Sequence, residues 1–291
     1  MPFDHAAGRC ARAALWLAVT TGCERPDALV LCHNSNCTGA LDFERDDTMA
    51  ALEESLAQKY RGRPLLDGME IDVFWHGRTS RCLFAHDIQS ADGTPAMAAA
   101  ERVGRHLRET PPPISWNGDR YHVKMELKGH VGESLDDGHT REQAAMHADC
   151  ALDLLAVLAD GASAGGHRLE VIFDSPSPRV LRELVRRPRW PGKQEGEPVE
   201  LRISVDMPDS TRSSIGNESL AAFTDGIDPD IVEFHAGAVT DGAVQAYRSL
   251  DLDFTIWMFS ATSENLDGIE QLRPRYILTS EARFMRRWLE Y

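Results

Sequence analysis

An α/β fold of the single-domain (β/α)8 TIM-barrel kind is what the sequence predicts, and three observations predict it. Short apolar, β-like runs alternate with longer amphipathic runs from residue 28 onward, the pattern of parallel strands joined by crossover helices. Eight strand-like runs occur, the number that closes a barrel. His33 and several carboxylates fall at the C-terminal ends of those runs, the end at which such barrels carry their reactive groups. An open doubly wound sheet is the structural alternative, but no glycine-rich phosphate loop follows the first run.

The strand-like runs are 28–33, 68–74, 121–127, 168–174, 201–206, 231–235, 253–259 and 275–279. Helix-like runs fill most gaps, at 47–59, 95–109, 140–159, 177–187, 218–223, 240–249, 263–270 and 280–290. The first opens on Asp46-Asp47-Thr48 and places Met49, Leu52 and Leu56 on one side, an acidic start followed by amphipathic spacing. The run 144–159 is apolar nearly all round, which predicts a well-buried helix or one packed on another. Stretches rich in Pro and Gly at 110–118 and 188–198 read as long loops inside one domain. No internal repeat is present.

The chain has 291 residues, a 42% hydrophobic share and a net charge of −15. That share is ample for a core, and the acidity argues against a nucleic-acid partner, since phosphate backbones need basic surfaces. A small anionic substrate stays compatible with the charge if a metal reverses it locally. The N-terminus differs from the rest. Arg9 and Arg12 precede Ala13-Ala14-Leu15-Trp16-Leu17-Ala18-Val19, then Thr20-Thr21-Gly22-Cys23. A basic region, a short apolar core and small residues before a cysteine resemble a bacterial lipoprotein signal peptide, with Thr20 where an aliphatic residue is usual. The expectation is that residues 1–22 are removed, Cys23 is lipidated, and the protein is exported as a periplasmic or outer-membrane lipoprotein. Four cysteines then remain, Cys32, Cys37, Cys82 and Cys150, with no zinc-like spacing. A disulfide between Cys32 and Cys37 around His33, or four free thiols, both fit the pattern.

Five residues carry the chemistry: His33, Glu70, Asp72, His86 and Glu126. Residues i and i+2 of a strand share a face, so Glu70 and Asp72 project together, as do Glu126 and Lys128. Carboxylates that close raise each other's pKa unless a cation lies between them. Met69, Ile71 and Val73 make the strand core-like, which favours a metal site over solvated charges. Three carboxylates, two imidazoles and a lysine suggest a divalent metal, Ca²⁺ or Mg²⁺, and acid–base chemistry. The other histidines, His235 among them, fit no motif, and most read as surface or structural groups.

From residue 29 to 128 the pattern resembles the glycerophosphodiester phosphodiesterases, within the phosphatidylinositol phospholipase C-like superfamily. An apolar strand ends in His33. Glu44-Arg45-Asp46-Asp47-Thr48 stands where the family has Pro-Glu-Asn-Thr, and Glu70-Ile71-Asp72 is followed by Phe84-Ala85-His86-Asp87. Lys124-Met125-Glu126-Leu127-Lys128 resembles the family's third-strand Glu-x-Lys. Near the C-terminus, Phe254-Thr255-Ile256-Trp257 and Pro274 to Ser280 look like its closing strands, where an aromatic lines the pocket. The resemblance implies His33 and His86 as the acid–base pair and Glu70, Asp72 and Glu126 as metal ligands. It also implies Lys128 against the phosphate and Trp257 as a pocket wall. One departure is Asn34, where the family usually has Arg. His-Asn is what eukaryotic phosphoinositide phospholipases C carry, and there the Asn helps bind calcium, so Asn34 joins the expected ligands. The expected activity is metal-dependent hydrolysis of a glycerophosphodiester or lysophospholipid-type substrate, by a monomer tethered to a membrane through its lipid. The alternatives are a phospholipase C or D-type (sphingomyelinase D-like) lipase and a non-catalytic headgroup-binding lipoprotein.

Overall fold

The computed structural model describes residues 27–39, 43–87, 90–129, 140–193, 196–206, 224–238, 248–249 and 251–290. Its strands are β1 (Leu29–Cys32), β2 (Lys59–Tyr60), β3 (Arg63–Pro64), β4 (Gly68–His76), β5 (Arg81–Phe84), β6 (Arg120–Lys128), β7 (Arg168–Asp174), β8 (Val199–Asp206), β9 (Ile231–His235), β10 (Asp253–Met258) and β11 (Tyr276–Thr279). The described helices are α1 (Met49–Leu56), α2 (Ala96–Glu109), α3 (Arg141–Gly165), α4 (Pro178–Arg186), α5 (Ser263–Leu272) and α6 (Ala282–Leu289).

Eight strands run parallel in the order β1-β11-β10-β9-β8-β7-β6-β4, and β4 pairs back with β1 to close the barrel. These are the eight runs expected from sequence, each within about two residues. Closure demands close backbone approach at Gly68, where a Cβ would lie 2.0 Å from the carbonyl oxygen of His122. Two small pairings lie outside the eight barrel strands. The β2–β3 pair forms a short antiparallel hairpin, and β5 pairs antiparallel with the far end of β4, from Val73↔Phe84 to His76↔Arg81. Strand β4 therefore runs past the barrel rim and supports the segment that carries His86.

Alternation within each strand sorts the side chains. Met69, Ile71 and Val73, with Val123, Met125 and Leu127, face the helices and join the main buried core. The inward set forms its own smaller apolar cluster, Leu31, Ile172, Ile231, Tyr276 and Leu278. Inside the barrel, Glu170, His122 and Tyr276 make one ionic knot toward the strand starts. Glu70, Lys124 and Glu233 belong to a second ionic group further along the strands.

The helices begin where their caps put them. Thr48 Oγ1 accepts the N–H of Ala51 and starts α1 two residues later than its acidic run suggests. Thr140 and Gln143 make a reciprocal capping box on α3. That helix outlasts its expected end at 159 and stops at Gly165, before left-handed Gly166. Its apolar circumference is used on α2 and α4, and a Cβ on Gly161 would lie 2.4 Å from the carbonyl oxygen of Gly104. The helices expected at 218–223 and 240–249 lie outside the described residues, apart from 248–249. The segment 110–118 sits at the strand-start end, where the N–H of Asn117 donates to Asp67 and that of Trp116 to Leu66. It lies at the opposite end from the carboxylate-rich strand ends and cannot cover them. No helix among the described residues is long and apolar enough to cross a membrane.

Candidate active site

The site starts at the end of β1. A short 3-10 turn, His33–Ser35, follows the strand, with Asn34 and Ser35 at positive φ (47° and 55°). Asparagine tolerates that conformation better than most residues, and Ser35 is held in it by hydrogen bonding. The backbone N–H of Asn34 donates to Glu70 Oε2 at 2.9 Å, and Ser35 Oγ donates to the Glu70 carbonyl at 2.7 Å. A disulfide between Cys32 and Cys37 spans the turn. Of the two cysteine readings left open by the sequence, the structure has the bonded one. A second disulfide joins Cys82 of β5 to Cys150 of α3, four residues before His86.

Glu70, Asp72 and Glu126 converge, each presenting one oxygen within 4.8 Å of the others. Glu70 and Asp72 are fully buried, while the Glu126 side chain is 13% exposed toward the barrel mouth. Lys128 reaches across the pair, its Nζ 3.1 Å from Glu126 Oε1 and 3.4 Å from Asp72 Oδ2. His33 lies beside them, with Nε2 3.8 Å from Glu70 Oε2. Its ring stacks on Trp257 at 5.7 Å and 12°. His86 stands on a half-exposed turn, 3.7 Å from Asp87, and is near enough to Glu126 to contribute to its electrostatics.

The expected residues thus gather at one mouth: His33, Asn34, Glu70, Asp72, Glu126, Lys128 and Trp257, with His86 at the edge. Sequence reasoning missed Lys124. Its ammonium is buried, 2.8 Å from both Glu70 Oε1 and Glu233 Oε1, 3.1 Å from Asp174 Oδ2 and 3.7 Å from Glu126 Oε2. The signal was present, since 124, 126 and 128 share one strand face. His235, which fits no motif in the sequence, packs its ring 4.4 Å from Trp257 at the same mouth. Asp47 was also passed over and is buried against Asp72.

Electrostatics follow from this packing. Among the described residues, the carboxyl groups of Asp47, Glu70, Asp72, Glu126, Asp174 and Glu233 act on the ammonium groups of Lys124 and Lys128. Burial pushes the pKa of Asp47, Asp72, Asp174 and Glu233 up, and neighbouring carboxylates add to the effect. Burial opposes ionisation of Glu126 too, but Lys128, Lys124 and His86 outweigh it and hold its pKa well below the usual carboxylate range. Both lysines are held protonated, because the carboxylates around them overcome desolvation. Burial lowers the pKa of His33, partly offset by Glu70, and so favours the neutral imidazole.

A hard divalent cation fits this donor set. The candidate ligands offer only oxygens, and Asn34 Oδ1 and both oxygens of Asp72 are buried without a hydrogen bond. Buried acceptors left without donors are costly unless something positive completes them.

The fold and site place the chain among α/β barrels with an acidic, two-histidine mouth. No family model matches the sequence, and no curated protein matches it. Solved structures do. A glycerophosphoryl diester phosphodiesterase described as putative, from Silicibacter pomeroyi, is 13% identical with a TM-score of 0.60, covering 92% of this chain and 96% of its own. A glycerophosphodiester phosphodiesterase from Parabacteroides distasonis is 12% identical with a TM-score of 0.56, covering 91% and 98%. A phosphodiesterase from Oleispira antarctica, in complex with the product sn-glycerol-3-phosphate, is 12% identical with a TM-score of 0.55, covering 90% and 97%. At such identities the likeness establishes the (β/α)8 barrel.

Proposed function

We propose that this protein is a cation-dependent phosphodiesterase acting on a small phosphodiester such as a glycerophosphodiester. The observation that carries the reading is the convergence of Glu70, Asp72 and Glu126, with Lys128 across them and His33 alongside. The structural neighbours that bear phosphodiesterase names support it. Glu70, Asp72, Glu126 and Asn34 would hold the cation, and a bound divalent ion would neutralise charge that gathers on a phosphodiester as it reacts. The chain's own groups do the remaining work. Lys128 presents a fixed ammonium to a phosphate oxygen, pre-oriented by two carboxylates. His33, favoured neutral by burial, is suited to take a proton from the nucleophile, and its ring is kept in place by Trp257. His86, more exposed and near Glu126, is placed to give a proton to the leaving alkoxide. The nucleophile is either water or a neighbouring hydroxyl of the substrate.

One observation favours a lipid-type substrate as a second reading. A train of aromatic rings runs from His33 through Trp257 and Phe259 to Phe43, with neighbouring centroids 5.1 to 5.7 Å apart. Phe43 is 60% exposed, and only Phe284 is comparable among the described large hydrophobic residues. An exposed apolar ring at a polar mouth suits an acyl chain. Headgroup release from a panel of glycerophosphodiesters and lysophospholipids, with Ca²⁺ or Mg²⁺ and with chelator, tests both readings. Turnover unaffected by chelation would sink the cation requirement, and no release from any member would leave a binding protein instead. Export with a lipid at Cys23 is part of the same proposal, and two disulfides support an oxidising compartment.

A further inference from the structure

Asp47 has no place in the reading above, yet it is built into the same cluster. It lies in the turn before α1, only 5% exposed, and neither carboxylate oxygen accepts a hydrogen bond from a described donor. It is close enough to Asp72 for the two carboxyl groups to act on each other's charge, and the Asp72 oxygens are also without a hydrogen bond. The duties that usually explain such a residue are taken by others. Thr48 caps α1 through Oγ1, and Asp46 binds the side-chain amides of Asn34 and Asn36 at 3.1 and 2.9 Å. The Asp47 backbone is nevertheless fixed with care. At φ 52° its N–H donates to the Asn34 carbonyl at 2.9 Å, while the Asn34 N–H donates to Glu70. One turn thus sets His33, Asn34, Glu70 and Asp47 relative to one another. Aspartate tolerates a positive φ better than most residues, and the hydrogen bond to Asn34 fixes Asp47 in it.

Two neighbouring buried carboxylates whose oxygens accept no hydrogen bond call for a cation or a shared proton. The Lys128 ammonium is already committed to Asp72 and Glu126. We propose that Asp47 is a fourth carboxylate of the cation centre, a positioning residue that braces Asp72 and adds its charge to the pull on a hard divalent ion. This rests on the cation-dependent reading given above. Groups that support ligands in this way commonly change metal affinity by roughly 10–100-fold when removed.

The test is calorimetric titration of the full chain with CaCl₂ and MgCl₂, beside melting curves with and without each ion. Asp47→Asn should weaken binding of the preferred ion by about 10–100-fold and shrink its melting shift. The ion-free variant should melt no lower than the parent, because one buried like-charge contact is gone. Asp47→Glu should recover part of the affinity, and Asp47→Ser is the fallback should the amide fail to fold. A variant that binds both ions with parental affinity overturns the inference, as does a fall in ion-free stability with affinity unchanged, the mark of a purely structural role. Asp72→Asn separates the two levels of the argument. If it loses affinity while Asp47→Asn does not, only the role of Asp47 fails. If the parent binds neither ion, the reading of the whole site fails with it.

Discussion

Lys124 holds together charges that no local stretch of sequence brings near each other. Its ammonium joins Glu70 of β4, Asp174 of β7 and Glu233 of β9 in the barrel interior. Breaking a buried ion pair by removing one partner costs roughly 3–5 kcal/mol, because the other charge stays buried. Lys124→Met should therefore lower unfolding free energy by about that amount, read from urea denaturation. A loss within experimental error would show that the carboxylates protonate at little cost. The two histidines call for a different outcome. His33→Ala and His86→Ala should keep cation affinity nearly unchanged while kcat falls roughly 10²–10⁴-fold. A p-nitrophenyl phosphodiester needs less help at the leaving group, so it should rescue His86→Ala and not His33→Ala. Rescue of the opposite variant would exchange the two roles. His33, Glu70, Asp72 and Glu126 were legible in the sequence because each ends or alternates within an apolar run. The burial of Asp47 was not, since it depends on a turn that hydrogen-bonds to Asn34.

The two histidine-bearing segments are each anchored by a disulfide. Cys32–Cys37 closes a span of 5 residues around His33, and Cys82–Cys150 a span of 68 that ties β5 to α3. Chain-entropy reasoning gives ~2 kcal/mol for the first and ~4 kcal/mol for the second. The Cys82→Ala, Cys150→Ala double variant should therefore lose more stability than the Cys32→Ser, Cys37→Ser pair. The short bridge should matter more for activity, because it spans the His33 turn directly. Chemical denaturation and turnover measured on both pairs decide this, and the reverse ranking in stability would contradict it. Helix starts were largely readable, as at Thr140, because caps are local, whereas the stop of α3 at Gly165 fell beyond its expected end. The pairing of β5 with β4 was not readable, because it depends on how two separate strands meet.

At the scale of the whole molecule, the barrel carries ionic layers at both ends of its interior. Near the strand starts, Glu170 accepts from His122 at 3.0 Å and from Tyr276, with Arg120 and Arg275 within 3.6 Å. Burial resists the charge on Glu170, but His122, Tyr276 and Arg275 prevail and hold its pKa down at about 2, against 4.5 unperturbed. A carboxyl depressed in the folded state contributes stability above its unfolded pKa and loses it as pH falls through the folded one. That window runs from about 4.5 down to about 2, and the contribution is at most ~3 kcal/mol. Glu170→Gln should flatten the fall of unfolding free energy across this window, measured by urea titration at several pH values. An unchanged slope would assign acid lability to other groups. Residues 1–26 lie outside the described structure, so the lipid anchor is a question for intact mass. Protein from its native host should lack residues 1–22 and carry acyl groups on Cys23, and a mass retaining them unmodified would refute this.

The sequence by itself determined the fold class and named most of the residues that the structure gathers at one barrel mouth, because both rest on periodicity. A period of two sorts Glu70 from Ile71 and Glu126 from Leu127, and eight such runs separated by helices leave few closures besides a parallel barrel. Only the tertiary structure decided which charges meet. Lys124 with Glu233, Asp47 with Asp72, and His33 with Trp257 are juxtapositions made by barrel closure and by one turn. The energy of a charge depends on burial and on partners far along the chain, and neither is written in its immediate neighbours.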